Sequence, residues 1–429
     1  MSFFNDFNLP RIPSFNEFSI DIRNLCATES DMKKNNEAIA LAIKECESHG
    51  GGSVIIPEGV WLCGPIHLGS NINLHLKKGA TLKFSGNFED YMPPVFTYRG
   101  GVSLMGPSPL VYAYGEKNIA ITGEGTLDGT GVAWWGMAYD APGMSDIRLA
   151  NRERRPIEKR VYDKVEYGVR PSFVNLIRCE NLLIEGVTLI NSPSWTLHLM
   201  ICEGATVRNI RIKNPKKAPN TDGIDIECSR RVLIEDCDID SADDIFCIKS
   251  GRNEEAWDGA LPPTEDVIIR NCRGTNGCGG ATVGSETSGG VRNILFENCS
   301  FEGARWGIRV KTARVRGGII ENVSFKNIEL KNSTEIGFDI MMQAYAGSYE
   351  DSLYPSDNES PDVRIPTVRR ISAENVKSIG SPLGMRLLGI ENHEIEDVTM
   401  KNCEFYAKEA ISVGHAISVN LENTSFRQG

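Results

Sequence analysis

Short apolar runs, separated by polar residues, recur along almost the whole chain. Three early examples are residues 53–56, 72–76 and 81–84, and the segments between them contain glycine or asparagine. Runs of this length, rich in Val, Ile, Leu and Phe and bounded by turn residues, are typical of β-strands. The pattern therefore predicts an all-β fold.

One segment has a different period. In residues 33–48 the apolar positions recur every three or four residues, and the glycines Gly50 to Gly52 follow directly. This is the pattern of an amphipathic α-helix that ends at glycine. We expect it to be the only long helix of the chain.

From about residue 181 the strand pattern becomes a repeat. Seven segments of similar sequence follow one another: 181–189, 205–212, 231–239, 266–272, 291–299, 320–325 and 395–403. The matching residues Val207 and Val232 are 25 positions apart. A unit of about 25 residues made of short strands indicates a right-handed parallel β-helix, because a propeller needs longer blades and leucine-rich repeats carry their own signature.

Successive coils of such a solenoid lie about 4.8 Å apart. The helix at 33–48 would then cap the N-terminal end and cover an exposed sheet edge. Two polar, proline-containing inserts, 138–167 and 345–363, are expected to be loops beside a groove. We predict one domain over residues 1–429, with the cap and first coils at about 20–130, a loop insert at about 136–168 and regular coils at about 170–429.

Composition narrows the class of partner. Of the 429 residues, 41% are hydrophobic and 24% charged, as in soluble globular proteins. The net charge of -11 argues against nucleic acid or an anionic membrane as the main partner, but it allows a small acidic substrate in a local cationic pocket. The first residues lack a secretory signal, which predicts a cytoplasmic protein; a chain from which a signal had been removed would be secreted or periplasmic.

The twelve cysteines lack the spacing of a disulfide framework or of a structural zinc site. Several fall inside apolar strand segments, so buried reduced thiols are expected. We predict neither a metal nor a cofactor, and the sequence does not indicate an oligomeric state.

Four polar clusters follow strand segments at roughly coil spacing. They contain the candidate residues Asp222, Asp243, Asp244, Cys278, Arg309 and Lys311. Asp222 and Asp243 are 21 positions apart, Asp244 and Cys278 are 34 apart across an insert, and Cys278 and Arg309 are 31 apart. Because equivalent positions of stacked coils face the same way, we expect the clusters to form one column along a groove.

Three carboxyl groups in one groove cannot all be ionised, so at least one pKa should rise. A protonated acid beside an ionised base is what glycoside hydrolysis requires, and the inverting form places the two carboxyls about 6.5–9.5 Å apart. Arg309 and Lys311, two apart on a strand, would face the same way and suit a sugar that carries a carboxylate. Each cluster alone is more often a turn or a solvated face; their order and spacing together favour a site.

Other segments strengthen this interpretation by resemblance. The segments 50–59, 123–129 with Trp134 and Trp135, 170–174 and 191–198, together with the clusters 220–222, 243–244 and 309–311, resemble the polygalacturonase family, glycoside hydrolase family 28, in its exo-acting bacterial branch. The resemblance implies a right-handed parallel β-helix and metal-free hydrolysis with inversion at α-linked galacturonic acid.

Carried over by position, the resemblance makes Asp243 the general acid and makes Asp222 and Asp244 the holders of the attacking water. It makes Arg309 and Lys311 ligands of the substrate carboxylate. His198 is a further candidate for substrate contact, although a core or turn histidine is an equal alternative.

Cys278 departs from the family pattern, which has histidine between the two glycines. A thiol cannot replace the two-ended hydrogen bonding of an imidazole. The change favours a substrate in which galacturonic acid has a different neighbour, such as rhamnose in rhamnogalacturonan fragments. No histidine base lies in the motif of Cys278, so we do not expect this thiol to be a nucleophile.

Two alternatives from other classes remain. The first is a β-helical carbohydrate-binding protein that has lost turnover through the change at Cys278. The second is a polysaccharide lyase, which would need calcium or an equivalent cation together with an Arg or Lys base. Retention of three aspartates disfavours the first alternative, and the absence of a calcium-loop sequence disfavours the second.

Overall fold

The strands form three parallel walls that wind into a right-handed parallel β-helix, as predicted. The computed structural model describes residues 7–138 and 141–428, so the first six residues, on which the expectation about a secretory signal rests, lie outside the described residues. In each coil the chain passes through walls 1, 2 and 3 in turn, and the strands of a wall pair in parallel with their equivalents in the neighbouring coils.

Each wall is a stack of short strands, one from each coil. Wall 1 contains β1 (Ser19–Asp21), β2 (Gly52–Ile56), β5 (Ile72–Leu76), β10 (Lys117–Gly123), β13 (Glu180–Glu185), β16 (Glu203–Arg208), β19 (Arg230–Glu235), β22 (Thr264–Arg270), the first parts of β25 (Val291–Glu302), β27 (Ile319–Lys331) and β29 (Thr367–Leu388), then β30 (Ile395–Lys401) and β32 (Ala416–Glu422). Wall 2 contains β3 (Gly59–Cys63), β6 (Ala80–Phe84), β11 (Thr126–Asp128), β14 (Thr188–Ile190), β17 (Arg211–Lys213), β20 (Asp238–Ser241), β23 (Arg273–Asn276), later parts of β25, β27 and β29, the start of β31 (Glu404–Gly414), and β33 (Ser425–Gln428). Wall 3 contains β4 (Ile66–His67), β9 (Val111–Tyr114), β12 (Val174–Ile177), β15 (Leu197–Met200), β18 (Ile224–Glu227), β21 (Phe246–Lys249), β24 (Gly279–Val283), β26 (Trp306–Lys311), β28 (Ile336–Met341) and the ends of β29 and β31.

Helix α1 (Met32–Ser48) caps the N-terminal coil, as predicted. The side chain of Asp31 accepts a hydrogen bond from the backbone N–H of Lys34 and so starts the helix. The apolar face is buried, and the amide of Asn35 donates to the carbonyl oxygen of Leu62 at 2.9 Å, which ties the cap to β3. The other α-helices of the described ranges are α2 (Val132–Trp135), α3 (Pro142–Arg152) and α4 (Tyr349–Ser352). No helix among the described residues has the length and apolar character needed to cross a membrane.

Helix α3 contradicts the expectation that the insert at 138–167 is a loop. Its apolar residue Ile147 packs with Val102 and Leu104 of the hairpin formed by β7 (Val95–Arg99) and β8 (Val102–Gly106). Only a few apolar residues of α3 face the hairpin, so the sequence has too short an apolar pattern here to predict a helix. Met144 and Arg148 of α3 line a cavity together with the candidate aspartates. The assignment of the whole chain to one domain stays a prediction.

Asparagine turns the chain between walls. Asn71, Asn118 and Asn181 all have positive φ angles, between 55° and 62°. Their side chains form a ladder from coil to coil, with N···O distances of 2.8 Å from Asn118 to Asn71 and 2.6 Å from Asn181 to Asn118. Asparagine tolerates this conformation better than most residues, which explains why it separates the strand segments of the sequence.

Inward-facing side chains stack along the axis and form one long core. The rings of Phe296 and Phe325 lie in adjacent coils with centroids 5.4 Å apart and planes 17° apart, and Phe246 meets the edge of Phe296 at 6.5 Å. All twelve cysteines are free thiols, and ten of them are buried, as the sequence indicates.

The aromatic stack should dominate the stability of the middle coils. We expect Phe296→Ala to lower the free energy of unfolding by about 3–5 kcal/mol, because it leaves a cavity that neighbouring coils cannot fill. Denaturant unfolding measures the change, and the exposed Glu329→Ala should stay within about 0.5 kcal/mol of wild type. Equal stability of the two variants would contradict this account of the core.

Candidate active site

The three candidate aspartates come from two successive coils and meet at the bend between walls 2 and 3. Asp222 lies just before β18, while Asp243 and Asp244 lie between the end of β20 and the start of β21. At this bend the alternation of a strand is broken, so adjacent residues both face the groove. The backbone N–H of Gly223 donates to the carbonyl oxygen of Asp244 at 2.8 Å, which places Asp222 beside this pair in the next coil.

Cys278 continues the column formed by Asp222 and the aspartate pair. Its backbone N–H donates to the carbonyl oxygen of Asp243 at 3.1 Å. A Cβ at the next residue, Gly279, would lie 2.7 Å from Oδ1 of Asp244. Glycine at this position therefore lets the following coil lie close against the carboxyl group.

The fourth cluster does not continue the column, so that part of the prediction is wrong. Gly279 pairs with Trp306, and the residue that follows Cys278 by one coil is Arg305 rather than Arg309. Arg309 lies four residues beyond Arg305, on β26, where it pairs with Thr282. The spacing of 31 residues is four longer than this coil, which accounts for the displacement.

Lys311 nevertheless reaches the aspartates, because its side chain is long. Its Nζ lies 2.7 Å from Oδ2 of Asp244. Arg309 has different neighbours: its guanidinium stacks 3.4 Å from the ring centroid of Trp306, and its Nε lies 3.5 Å from a carboxylate oxygen of Asp339. Of the two predicted cations, Lys311 lines the cavity together with the aspartates.

His198 is fully buried, so the predicted contact with substrate has no exposed atom to make it. The ring packs edge-on beneath Trp195 at 4.9 Å, with Nε2 3.0 Å from a carboxylate oxygen of Glu227 and Nδ1 3.1 Å from the amide of Asn175. The carboxylate accepts from Nε2–H, which leaves Nδ1 to accept from Asn175. His198 supports the floor of the groove from below.

The aspartates line a cavity of about 310 Å³. Its floor includes Trp195 and Lys249, and six cationic side chains of the described residues face it: Arg99, Arg148, Arg170, Lys249, Arg252 and Lys311. Four carboxyl groups from the same part of the chain face it as well: Asp222, Asp243, Asp244 and Glu286. Counted with every carboxyl group ionised, the cavity has a formal excess of two positive charges in a protein whose net charge is -11.

The sequence prediction missed most of these cavity residues. Arg170 and Trp195 lie in segments that carried the family resemblance, but no chemical role was assigned to them. Lys249 has a signal of its own, since a lysine that ends a buried strand needs a partner. Arg99 and Arg148 come from the hairpin and from α3, which fold over the groove and were not predicted.

Opposite pKa shifts separate the adjacent carboxyl groups of Asp243 and Asp244. Burial and the neighbouring Asp244 carboxylate raise the pKa of Asp243. Burial also opposes ionisation of Asp244, but the ammonium groups of Lys311 and Lys249 outweigh it and lower the pKa of this carboxyl group. A proton therefore prefers Asp243 to Asp244, and in such a pair one carboxyl group can donate a proton while the other accepts one.

Two groups of side chains have the donor atoms of a cation site. Oxygen and sulfur atoms of Asp243, Asp244 and Cys278 lie within 4.8 Å of one another. However, the ammonium group of Lys311 is already bonded to Asp244, and burial raises the pKa of Cys278 to about 12, so this thiol is not a ready metal ligand. The second group, Asp222, Asp225 and Cys247, has the ammonium group of Lys249 within 3.8 Å of both carboxylates.

Comparison with known proteins identifies the family. The profile of glycosyl hydrolases family 28 matches residues 158–419, which is more than half of the chain. The chain belongs to glycosyl hydrolases family 28. It is therefore a glycoside hydrolase of the polygalacturonase family, as the sequence motifs indicate.

Individual relatives agree with the family profile. A hyperthermoactive exopolygalacturonase from Thermotoga maritima superimposes with a TM-score of 0.85 at 34% identity, over 97% of this chain and 94% of that one. A probable polygalacturonase from Vitis vinifera is 28% identical over 86% of this chain and 70% of its own length. A family 28 exopolygalacturonase from Yersinia enterocolitica shares the fold, with a TM-score of 0.75 at 21% identity over 95% of this chain and 76% of that one.

The state of Cys278 can be tested directly. Burial and the carboxyl groups of Asp244 and Asp243 raise the pKa of this thiol to about 12, so almost none of it is thiolate near neutral pH. We expect iodoacetamide at about pH 7.5 to alkylate the exposed Cys26 and to leave Cys278 unmodified, as measured by mass spectrometry of the folded protein. Modification of Cys278 as rapid as that of Cys26 would mean that cations, rather than carboxylates, dominate the field at the site.

Proposed function

We propose that this family 28 enzyme is an inverting, exo-acting hydrolase that removes α-linked galacturonic acid from pectic oligosaccharides. The observation that carries the proposal is the cationic cavity in which Asp222, Asp243 and Asp244 meet. A sugar carboxylate suits this surplus of positive charge. The similarity to the Thermotoga exopolygalacturonase supports the same substrate class.

The proposed reaction assigns a role to each aspartate. Asp243, whose pKa is raised, donates its proton to the glycosidic oxygen as the bond from that oxygen to the anomeric carbon breaks. Asp222 and Asp244 hold a water molecule, and its oxygen bonds to the anomeric carbon from the opposite face as its proton passes to one of these carboxylates. The products are galacturonic acid of inverted configuration and an oligosaccharide shortened by one unit.

The cations would bind the carboxylate of the sugar. Lys311 lines the cavity, and its ammonium group is bonded to Asp244. It can therefore neutralise the carboxylate of Asp244 and that of the sugar. Arg309 lies further along the same wall, where it would meet the neighbouring sugar near Cys278. Because Cys278 is half-buried and faces this region, the identity of the neighbouring sugar, galacturonic acid or rhamnose, is expected to depend on it.

Inserts that close the cavity on one side support exo action. Met144 and Arg148 of α3, Gly100 of the β-hairpin and Tyr345 of the second insert line the same cavity as the aspartates. Such an arrangement would favour the end of a chain over a long polysaccharide that has to pass through the site.

Ion pairs and hydrogen bonds hold these inserts together. Glu350 of α4 lies 2.5 Å from Arg252 and 2.6 Å from Arg316, and the amide of Asn151 in α3 donates to the carbonyl oxygen of Arg252 at 2.9 Å. Both inserts are thus attached to one buried arginine beside the cavity. The cytoplasmic location stays a prediction.

Product analysis tests the proposed activity. Mass spectrometry of digests of galacturonan and rhamnogalacturonan oligomers should show galacturonic acid monomers and substrates shortened by one unit. The catalytic control Asp243→Asn should be slower by about 10²–10⁴-fold, the usual contribution of a general acid. Wild type and variant that are equally silent on every oligomer would favour the carbohydrate-binding alternative, and an unsaturated product absorbing in the near ultraviolet would favour the lyase.

The role of Asp243 can be tested by changing the leaving group. An aryl α-galacturonide with an acidic phenol needs little protonation as it leaves, so Asp243→Asn should lose far less activity on it than on an oligosaccharide. The raised pKa of Asp243 keeps its proton in place to a higher pH than usual, and loss of that proton should produce the alkaline fall in kcat/KM of the wild type. Asp243→Asn should lack this fall with the aryl substrate. Equal losses on both substrates would contradict the assignment.

A further inference from the structure

Lys249 is a buried cation in direct contact with the carboxyl groups of the active site. Its side chain lies above the ring of Trp195, with Nζ 4.6 Å from the ring centroid. The same Nζ lies 3.8 Å from Asp222, 3.5 Å from Asp225 and 3.2 Å from Glu286. Only 4% of the residue is exposed.

The register of wall 3 directs Lys249 toward these carboxyl groups. Along β21 the side chains of Phe246 and Ile248 enter the core, so Lys249 faces outward. Its strand neighbour in the preceding coil, Glu227, already accepts hydrogen bonds from His198 and from the backbone N–H of Gly251. The ammonium group therefore extends past Glu227 toward the aspartates.

Lys249 lies among carboxylate oxygens that have no other partner. Both carboxylate oxygens of Asp225 and Oδ1 of Asp222 are buried and have no hydrogen-bond partner among the described residues. Burial without a hydrogen-bond donor strongly disfavours the ionised form of a carboxyl group. On the far side, Glu286 bonds both Lys249 and Arg252, and it fixes the ammonium group in place.

We propose that Lys249 is a positioning residue whose ammonium group favours the ionised form of Asp222, the form that can accept the proton of the attacking water. This inference rests on the hydrolytic reaction proposed above. Lys249 acts through Asp222, and Glu286 moderates its charge.

The balance of charges around Asp222 supports this role. Burial and Asp243 raise the pKa of Asp222 well above its usual value, and Lys249 is the foremost group that opposes them. Lys311 opposes them less and is bonded to Asp244. The other titratable or charged groups that face the Asp222–Lys249 pair are Asp225 on β18, Asp244 at the bend, Cys247 on β21, Glu286 after β24 and Arg99 on the hairpin. Because these carboxyl groups lie close together, ionisation of Asp222 beside an ionised Asp244 needs a nearby cation.

The experiment is the pH dependence of kcat/KM on a cleaved oligomer. In Lys249→Gln the fall in kcat/KM toward low pH should move to higher pH by about one unit or more, because Asp222 loses its nearest positive charge. In Glu286→Gln it should move to lower pH, because the ammonium group then faces Asp222 with less neutralisation. Lys401→Gln, which removes an exposed lysine of β30 that pairs with Glu422 of β32, should match the wild type.

Opposite shifts separate this role from a structural one. If Lys249 only supports the fold, its replacement would lower kcat or the melting temperature. The pH at which kcat/KM falls on the acid side would then stay the same in both variants. An unmoved acid fall in folded Lys249→Gln and Glu286→Gln would overturn the proposal. A wild type that cleaves no oligomer would instead overturn the proposed function.

A second measurement needs neither turnover nor substrate. Infrared spectroscopy follows the band of protonated carboxyl groups as the pH changes. Subtracting the spectrum of Asp222→Asn, once in otherwise wild-type protein and once in Lys249→Gln, isolates the titration of Asp222. Protonation of Asp222 at a pH at least about one unit higher in Lys249→Gln than in otherwise wild-type protein supports the proposal. Equal titration of Asp222 in the two backgrounds contradicts it, and a Lys249→Gln protein too unstable to study leaves Glu286→Gln, with the opposite shift, as the deciding variant.

Discussion

Backbone pairing between parallel strands of successive coils is the constraint on which the site depends. It fixes residues about 20 to 35 positions apart in the sequence at neighbouring places on one surface, so Asp222, Asp244 and Gly279 meet without any local motif that contains them all. The aspartates need no flexible loop to bring them together, because the core phenylalanines and asparagine ladders hold each coil in register. Catalytic geometry and fold stability thus share the same hydrogen bonds.

The second constraint is electrical. Burying carboxyl groups beside one another disfavours their ionisation, and the protein balances them with buried cations rather than with solvent. Lys311 pairs with Asp244, and Lys249 lies among Asp222, Asp225 and Glu286. Adjacent aspartates consequently have pKa values shifted in opposite directions. The arginines that also line the cavity give it a surplus of positive formal charge, which suits an acidic sugar.

The sequence revealed the fold because its repeat, glycine and asparagine positions and strand pattern all reflect local geometry. It also predicted that the three aspartates lie together, since they follow strands at coil spacing, and they line one cavity. It misplaced Arg309 because a coil count cannot tell where in a coil the next strand begins. For His198 it left substrate contact and a core position both open, and the ring is buried under Trp195. Lys249, Arg99 and the closing helix α3 were missed, because their roles arise from contacts between segments far apart in sequence.

A crystal structure of Asp243→Asn with a bound galacturonate oligomer tests the central claim most directly. The account predicts a terminal galacturonate inside the cavity, with its glycosidic oxygen within hydrogen-bond distance of residue 243, a water molecule between Asp222 and Asp244, and the sugar carboxylate against the cationic side chains. An oligomer that passes through the site with sugars on both sides of an opened cavity would contradict exo action. A ligand bound on another wall, away from the aspartates, would contradict the site itself.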